Sequence, residues 1–523
     1  MKYRCFFCLV LSLTIFGCGS VVSEGREKNV IDIPGYGMMS DNSKINRLLT
    51  DDQQYTSSTV FKYVYLSDII DDKCLNSKGR IIDSILYKKM RLCMDGIMDF
   101  SQNKRYVLRV FPSCNASGPI NGAKLLSNVN TDDGNLYIWY PSKLYHLTKG
   151  SAYPPKVVKW TKSVNFKKTN NLSVVDFRNP LFFDMYEKLL FAFSKYLQEE
   201  VFVPNLKSST IQVKKCRKGD FISRIEMGFL GLWGEGCTLY NGDNTSKDLI
   251  KVVELYKKYL SDYWLIAPSF GMSTMATQKQ SLYEFEHYLM TTTYGSKNKN
   301  SEGMYKGDKE FGLFIDHLGL SDCDKDFNIL NHKGKNELRS LAEMKYKKAP
   351  VIGENGGKIS RESKRIGKDI KKFGISMIKV WGGVSDVNDS VIVRWSNALC
   401  DLGFSMKCKF DGIKVVGSKL SITGYFQNVG YTPCYDDCWL PQFVIRSKND
   451  NNLYLEWDVP FDLRTMDKNA KKIDNLIDIS SMPKGEYEIC FRVVDKFHIC
   501  ENLKIDDYEE SAYREYKIDV FNK

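Results

Sequence analysis

The fold is decided by residues 350–402, in which four segments alternate in kind: Pro350-Val-Ile-Gly353, Ile366–Phe373, Ile375-Ser-Met-Ile-Lys-Val-Trp381 and Val391–Leu402. The first and third are short apolar runs, which predict buried strands. The second and fourth have helical spacing. Strands and helices that take turns along the chain are typical of a parallel sheet with helices packed outside it.

The same alternation extends towards the amino terminus. Five further strand candidates precede this segment, with helical spacing between most of them: Val60–Leu66, Tyr106–Phe111, Ile225–Leu232, Tyr263–Ala267 and Phe311–Ile315. Seven strands are therefore clear, and an eighth, third in order, is expected before or within the irregular aromatic stretch 112–175. Eight alternating units predict a (β/α)8 TIM barrel over 51–411. An open dinucleotide-binding sheet is disfavoured, because neither Gly-x-Gly-x-x-Gly nor a P-loop follows the first strand.

The pattern changes after about residue 412. Short runs with period two follow one another, separated by Gly, Pro and Asn-Asp clusters, as in 439–447, 471–480 and 486–494. Such runs predict an all-β antiparallel sandwich over 412–523. At the other end, residues 20–50 are polar, and Pro34, Gly35 and Gly37 interrupt any period, so we expect a polar segment that leads into the barrel.

Composition is that of an ordinary globular protein. Of 523 residues, 43% are hydrophobic and 26% are charged, and 75 basic minus 63 acidic residues leave a net charge of +12. These values exclude a disordered, collagen-like or coiled-coil chain. Lysines are interleaved with acidic residues along the chain, so the sequence predicts a mixed solvated surface and no nucleic-acid partner.

The first residues predict export. Lys2 and Arg4 precede an apolar run that ends at Phe16, and small residues follow, which is the pattern of a signal peptide over 1–19. Ile15-Phe-Gly-Cys18 also resembles a bacterial lipobox, in which Cys18 would be lipidated. Two outcomes stay open: a secreted protein, or one anchored at the cell surface by a lipid on Cys18. No later stretch is long and apolar enough to predict a membrane span.

The cysteine count permits disulfide bonds in an exported chain. Three of the 15 cysteines belong to the signal peptide, which leaves 12. The candidate bridges join close pairs in the sequence: Cys434 with Cys438, Cys490 with Cys500, and Cys400 with Cys408. Buried free thiols are the alternative. The five histidines stand in no zinc-binding spacing, so we expect neither a metal site nor a cofactor.

Two glutamates stand out at strand ends. Glu235 follows the strand counted as the fourth, in Gly231-Leu-Trp-Gly-Glu235, and Glu354 follows the strand counted as the seventh. Active sites of TIM barrels lie at the carboxyl ends of the strands. Two carboxylates that face each other there suit glycoside cleavage, in which one protonates the leaving oxygen and the other attacks the sugar. The structural alternative is that each caps a helix or forms an ion pair in a loop.

Further polar and aromatic residues near strand ends complete the candidate site. Trp233 and Trp381 could stack on the apolar faces of sugar rings. Arg109, Asp316, His317 and Asn355 are candidates for substrate hydrogen bonds or for tuning the two glutamates. Core packing is the alternative for the tryptophans, and an ion pair that closes the barrel is the alternative for Arg109.

The order of these motifs resembles a known family. Gly231-Leu-Trp-Gly-Glu235, Gly353-Glu354-Asn355 and Phe426-Gln-Asn-Val-Gly-Tyr-Thr-Pro433 are similar to motifs of an exported family that is catalogued as a domain of unknown function and usually described as glycosidases. The resemblance, which covers most of the chain from about residue 30, implies a barrel followed by a β-sandwich. It also implies kinship with the retaining glycosidases that carry the acid/base on strand four, here Glu235, and the nucleophile on strand seven, here Glu354. That clan usually has Asn directly before the acid/base, whereas this chain has Gly234.

Two functions are compatible with these patterns. The first is a retaining glycoside hydrolase that acts on an extracellular or cell-surface glycan. The second is a catalytically silent carbohydrate-binding or surface-interaction protein on the same scaffold. The separation and orientation of the two carboxylates discriminate between them.

Overall fold

The structure is a computed structural model of the chain. It describes residues 32–33, 36–39, 59–101, 104–111, 127–131, 134–160, 170–204, 213–228, 244–267, 279–295, 309–319, 337–355, 359–379, 388–399, 402–449, 453–497, 499–500, 502–503, 505–506 and 515–523.

The strands in chain order are β1 Asp32–Ile33, β2 Tyr36–Met39, β3 Thr59–Val64, β4 Arg105–Val110, β5 Ser127–Thr131, β6 Gly134–Ile138, β7 Lys156–Trp160, β8 Asn170–Val174, β9 Glu200–Pro204, β10 Val213–Arg217, β11 Ile222–Met227, β12 Trp264–Ala267, β13 Thr293–Tyr294, β14 Lys309–Glu310, β15 Gly312–Leu318, β16 Val351–Asn355, β17 Met377–Lys379, β18 Met406–Val416, β19 Lys419–Asn428, β20 Trp439–Ser447, β21 Leu453–Asp458, β22 Lys471–Asp478, β23 Glu486–Asp495, β24 Ile505–Asp506 and β25 Tyr516–Asn522.

The α-helices are α1 Leu66–Ile69, α2 Asp83–Ile97, α3 Ser142–Thr148, α4 Pro180–Leu197, α5 Ser246–Leu260, α6 Lys279–Thr291, α7 Glu337–Lys345, α8 Ile359–Glu362, α9 Ile366–Phe373 and α10 Asp389–Leu399. Local sequence explains several helix starts. Pro180 opens α4, and the Asn179 side chain accepts a hydrogen bond from the Leu181 N–H. Within the described ranges, no helix has the length and apolarity that crossing a membrane requires.

Seven strands form a parallel sheet that curls into a nearly closed barrel. Their spatial order is β17, β16, β15, β12, β11, β4 and β3. At one edge β2 pairs in parallel with β17, and it lies close to β3 at the other edge. The prediction of an α/β fold around a parallel, barrel-like sheet is confirmed at this level.

The predicted position of the remaining barrel strand, third in chain order, is wrong. We expected a hidden strand between Tyr106–Phe111 and Ile225–Leu232, but β4 pairs directly with β11, with Arg109 opposite Glu226. The additional strand is β2, within the polar segment 20–50. Four residues are too few for a recognisable period, which explains why the sequence pattern missed it. Counted from β2, β11 is the fourth parallel strand and β16 the seventh.

Part of the stretch 112–175 is more regular than expected. It contains α3 and a separate four-stranded sheet in the order β5, β6, β8, β7. Polar residues such as Asn128, Asn130, Asn170 and Asn171 lie in these strands. Asparagine is depleted in strands, so the composition of the stretch concealed the sheet.

Two four-stranded sheets follow the barrel, in the orders β22-β19-β18-β24 and β21-β20-β23-β25. Phenylalanines from both sheets meet between them: the rings of Phe410 and Phe443 lie 5.6 Å apart and those of Phe426 and Phe491 lie 5.3 Å apart. Aromatic contacts of this kind form the core between packed sheets. The first strand, β18, begins at Met406, six residues before the predicted boundary at 412.

Buried ion pairs join these sheets to the amino-terminal end of the barrel. Arg105, the first residue of β4, binds both carboxylate oxygens of Asp495 at 2.9 and 3.0 Å. Arg105 uses Nη2 for both contacts, whereas Arg224 of β11 donates from Nη1 and Nη2 to separate oxygens of Asp436, at 2.6 and 3.1 Å. Two parallel N–H···O bonds, as between Arg224 and Asp436, fix orientation as well as contributing attraction. The C-terminal sheets therefore cover the end of the barrel opposite to the strand ends that TIM barrels use for catalysis.

Two of the predicted disulfide bridges do not form in this structure, because Cys438 and Cys490 are free thiols. After β23 the chain folds back on this strand, and the Leu503 N–H donates to the carbonyl oxygen of Val493. In this register Cys500 does not lie opposite Cys490. The thiol of Cys490 instead lies 3.5 Å from Glu488 Oε1. The third predicted bridge, between Cys408 of β18 and Cys400, stays a prediction, because Cys400 lies outside the described residues.

Candidate active site

The interior of the curled sheet is layered. Six buried side chains on six parallel strands form an apolar cluster: Phe61, Val107, Ile266, Phe314, Ile352 and Met377. Successive residues of a strand point to opposite sides, so the residue two positions further on faces the same interior. On four of these strands that residue is polar and its side chain is described, namely Tyr63, Arg109, Glu354 and Lys379. Together with Glu226 of β11, these residues form the polar layer, on the carboxyl side of the apolar cluster.

Arg109 lies at the centre of the polar layer. Its Nε donates to Glu226 Oε2 at 2.6 Å, and its Nη2 lies 3.8 Å from Glu354 Oε2. The guanidinium carbon is 4.4 Å from the ring centre of Phe314, which is within the range of a cation–π contact. One buried cation therefore holds two glutamates, each from a different strand.

Lys379 gives Glu354 a second cation. Its Nζ lies 3.4 Å from Glu354 Oε1 and donates to the Tyr63 hydroxyl at 3.3 Å. Burial alone would lower the pKa of Lys379, but attraction to Glu354 outweighs it, so this pKa is raised above its usual range. Lys379 is therefore a cation at neutral pH.

Both glutamates of the polar layer are almost fully buried. Glu226 is 3% exposed and Glu354 is 7% exposed. Burial raises the pKa of Glu226, and the nearby Glu354 charge adds to that effect, while Arg109 lowers it; the net direction is upward. Among the described residues, Glu226 Oε1 and Glu354 Oε2 have no hydrogen-bond partner. Buried carboxylate oxygens that lack a donor are uncommon and call for an explanation by function or by a bound group.

Backbone strain lies beside this layer. Phe111, two residues after Arg109, has a φ of 62° although it is a bulky residue. Its ring is buried and meets Phe193 of α4 edge-on, with 5.8 Å between ring centres. The left-handed region costs an ordinary residue about 1–2 kcal/mol, and such residues are enriched at functional sites. The carboxyl end of β4 thus has a second feature typical of a site.

The structure brings together some of the residues predicted from sequence. Arg109 and Glu354 lie in the polar layer. Asn355 does not, because its Nδ2 donates to Glu362 Oε2 of α8 at 2.6 Å, on the outer side of the sheet. This contact ties β16 to α8, and the role of Asn355 in substrate binding stays a prediction.

Other predicted site residues lie outside the described part of the chain. Glu235, Trp233 and Trp381 are among them, as is Cys18. Asp316 and His317 belong to β15, but their side chains also lie outside the described structure.

Sequence reasoning missed Glu226 and Lys379. Both lie inside the apolar runs that predict strands. The candidate residues were taken mainly from strand ends, so these two were not included. A signal was present: a charged residue inside a buried strand needs a partner of opposite charge. Charges at alternate positions, as in Arg224 and Glu226, indicate that one side of such a strand carries an ion-pair network.

Among the described residues, no group of three or more His, Cys, Asp or Glu side chains is arranged to hold a metal ion. Glu226 and Glu354 have cations as neighbours instead.

Comparisons with known proteins give only distant likenesses. No protein-family model matches the chain, and no curated protein matches it. Similar solved structures include a catalytically inactive OgpA from Akkermansia muciniphila in complex with an O-glycopeptide substrate, at 12% identity over 52% of this chain and 73% of that one, with a TM-score of 0.15. A beta-glucosidase from Kluyveromyces marxianus is similar at 11% identity over 42% of this chain, with a TM-score of 0.14, and the match spans only 32% of that enzyme. The function of this chain is argued below from its own residues.

Proposed function

We propose that the chain is a retaining glycoside hydrolase that acts on a glycan outside the cytoplasm. Glu354 is the nucleophile and Glu235 is the general acid and base. The observation that carries the proposal is the environment of Glu354: a buried carboxylate near the carboxyl end of a barrel strand, between two cations, whose Oε2 accepts no hydrogen bond from the described residues.

Two features of that environment suit a nucleophile. Lys379 and Arg109 place two cations beside the carboxyl group that is to attack the sugar. Lys379 binds Oε1, and no donor within the described part of the chain occupies Oε2. In a glycosidase the partner of such an oxygen is the anomeric carbon of the sugar.

The reaction takes two steps. Glu354 Oε2 attacks the anomeric carbon while the bond to the leaving oxygen breaks, and Glu235 gives its proton to that oxygen. A water molecule then attacks the same carbon, Glu235 takes the proton of the water, and the bond to Glu354 breaks. Two inversions retain the anomeric configuration, and the mechanism requires the carboxyl groups to be about 5–5.5 Å apart.

The location of the substrate follows from the first residues. The signal-peptide pattern predicted over 1–19 supports an exported mature chain, either secreted or held by a lipid on Cys18. We therefore propose an extracellular or cell-surface glycan as the substrate. No cofactor enters the two-carboxylate mechanism.

The proposal is tested by screening aryl glycosides and polysaccharides with the wild type and Glu354→Gln. Hydrolysis by the wild type, with a first product of retained configuration in the NMR spectrum, is expected. Glu354→Gln should lose at least about 10³-fold in kcat, as removal of a nucleophile does. Glu310→Gln is the control, because Glu310 pairs with Lys345 outside the polar layer and its loss should leave the rate unchanged.

Failure of the wild type to cleave any substrate while it binds glycans would instead identify a catalytically silent carbohydrate-binding protein.

A further inference from the structure

The outer side of the sheet β22-β19-β18-β24 carries an exposed tyrosine between two exposed lysines. Tyr425 of β19 lies directly opposite Lys409 of β18 and Lys472 of β22. Residues that lie opposite each other across antiparallel strands point to the same side of the sheet. Tyr425 is 39% exposed, whereas its neighbour Phe426 is buried between the two sheets. The row of Lys409, Tyr425 and Lys472 therefore faces solvent.

A second tyrosine between two lysines adjoins this row. The ring centre of Tyr431 lies 4.8 Å from Lys468 Nζ and 5.4 Å from Lys371 Nζ, both within the range of a cation–π contact. Gln427 lies on the same side of β19 as Tyr425, and its Nε2 donates to Lys468 O at 2.7 Å. Gln427 thus connects the two tyrosines. The lysine–tyrosine face consists of these residues: Lys409, Tyr425, Tyr431, Lys468 and Lys472.

The aspartates near the lysine–tyrosine face form only exposed ion pairs. Asp411 pairs with Lys409 at 3.5 Å, and the two side chains are 37% and 78% exposed. Asp467 pairs with Lys471 at 3.4 Å, and both side chains are also exposed to at least 40%. Such pairs are weak and are screened by salt, so a polyanion can compete with either aspartate.

The other end of the same side of the sheet has a different charge pattern. There Lys419 lies directly opposite Asp478, and Lys414 lies opposite the neutral Ser421. That end matches the mixed solvated surface that the sequence predicts. Around Tyr425, by contrast, lysines stand on both sides. Like charges that gather on one side of a sheet repel each other, and a negatively charged ligand offsets that repulsion.

Exposed tyrosines flanked by lysines on a sheet suit a charged sugar chain. An aromatic ring can stack on the apolar face of a pyranose, and ammonium groups can bind carboxylate or sulfate groups of the same chain. Lysine binds anions as a point charge on a flexible stem, so it does not require one fixed geometry of the anion. The export predicted from the first residues favours a glycan over a nucleic acid as the polyanion that the chain meets.

We propose that the lysine–tyrosine face binds an anionic polysaccharide, that is, a sugar chain that carries carboxylate or sulfate groups. The tyrosines stack on sugar rings and the lysines bind the anionic groups. This site lies on the C-terminal sheets and the turn after β19, whereas the polar layer lies inside the barrel. The inference goes beyond the proposed hydrolysis, because binding at this face requires neither Glu354 nor cleavage of the polymer.

Calorimetric titration of the full chain with three polymers that share one glucan backbone tests the proposal. The polymers are dextran, carboxymethyl dextran and dextran sulfate. Binding to at least one of the charged dextrans is expected, and it should weaken as salt is raised. Neutral dextran should bind at least about tenfold more weakly, because it lacks the ionic contacts. Single-stranded DNA and vesicles of anionic phospholipid are titrated alongside as polyanions of other classes.

Two double variants with the same change of net charge locate the binding. Lys409→Gln combined with Lys472→Gln should weaken the binding of the charged dextran by about fivefold or more. Lys414→Gln combined with Lys419→Gln is the matched control at the other end of the sheet, and it should change the affinity by less than about twofold, since it acts only through screened charge. Tyr425→Ser should weaken binding by about threefold at constant charge, because a stacking ring is lost.

Equal weakening by the two double variants would mean attraction to net charge alone and would overturn the proposal. Absence of binding to both charged dextrans overturns it too, as does tighter binding of the DNA or of the vesicles than of either dextran. Glu354→Gln should bind the charged dextran as the wild type does, and loss of binding in this variant would move the polymer site to the barrel and refute the inference. Binding with the expected variant pattern in a protein that cleaves no glycoside would refute the proposed function only.

Discussion

At the scale of single residues, the polar layer is held by pairs whose members depend on each other. Arg109 is 2% exposed and Glu226 is 3% exposed, so each neutralises a charge that water cannot reach. Loss of one partner leaves the other buried and uncompensated. Loss of both removes the two burial costs together.

A double-mutant cycle tests this dependence. Arg109→Met and Glu226→Met should each lower the free energy of unfolding by about 3–5 kcal/mol, and the double variant should lose clearly less than the sum. Chemical denaturation of the four proteins gives the coupling energy. The exposed pair Asp462 and Arg464 serves as control, with an expected coupling of about 1 kcal/mol or less. Additive losses at Arg109 and Glu226 would contradict the paired arrangement.

At the scale of elements, turn geometry defines where helices of the barrel end. α9 ends at Gly374, which has a φ of +58° and accepts the left-handed conformation that closes a helix. A Cβ at this position would lie 2.1 Å from Cγ of Tyr346. Both the backbone and the available space therefore require glycine before β17, the strand that carries Lys379.

Gly374→Ala should lower the free energy of unfolding by about 1 kcal/mol or more, because left-handed backbone is unfavourable for alanine and Tyr346 must move. Thermal or urea unfolding measures the loss. Gly96→Ala is the matched change with the opposite sign: Gly96 lies within α2 with open space around it, so alanine should stabilise by up to about 1 kcal/mol. Equal effects at both sites would rule out the explanation from backbone geometry.

The elements also show what the sequence could and could not predict. Alternation of apolar runs and helical spacing located strands such as β4, β16 and β17, because burial on both sides imposes a strong pattern. β2 escaped prediction because it is four residues long and stands in a polar segment. The apolar length of a strand gives no sign of which neighbour it takes, and for that reason the direct pairing of β4 with β11 came only from the structure.

The site was predictable only in part for a related reason. Glu354 could be found because a carboxylate that ends an apolar strand is exceptional. Glu226 and Lys379 can be recognised as site residues only from their partners on other strands, which lie 117 positions away for Glu226 with Arg109 and 25 for Lys379 with Glu354. A single sequence contains the charges but not the pairing.

At the scale of the whole molecule, the C-terminal sheets close one end of the barrel and leave the other end to the polar layer. Lys309 lies at the closed end of the barrel, and its pKa depends on burial there. Its Nζ donates to Asp262 O and Ser261 O, near the Arg224–Asp436 pair that joins the two regions. Burial lowers the pKa of Lys309 to about 8, with a further lowering from Arg224, although Asp437, Asp262 and Asp436 act in the opposite direction.

This lowered pKa predicts a dependence of stability on pH. Between about 8 and 10.5 the folded chain has released the Lys309 proton while the unfolded chain still holds it, so this group stabilises the fold increasingly as pH rises. The free energy of unfolding of the wild type relative to Lys309→Met should therefore grow from pH 8 to 10.5. Lys348→Met, at an exposed lysine, should show no such growth relative to the wild type. A difference that shrinks with pH would contradict the burial of Lys309 at the junction.

The central claim is that Glu354 forms a covalent bond with the sugar, and trapping that bond tests it most directly. The wild type is incubated with activated 2-deoxy-2-fluoro glycosides of the sugars that it cleaves, which slow the second step more than the first, and the protein is then mapped by peptide mass spectrometry. The account predicts one glycosyl group per chain, on Glu354, and none on the Glu354→Gln variant. A label on a different carboxylate, such as Glu226, or undiminished hydrolysis by Glu354→Gln, would contradict it.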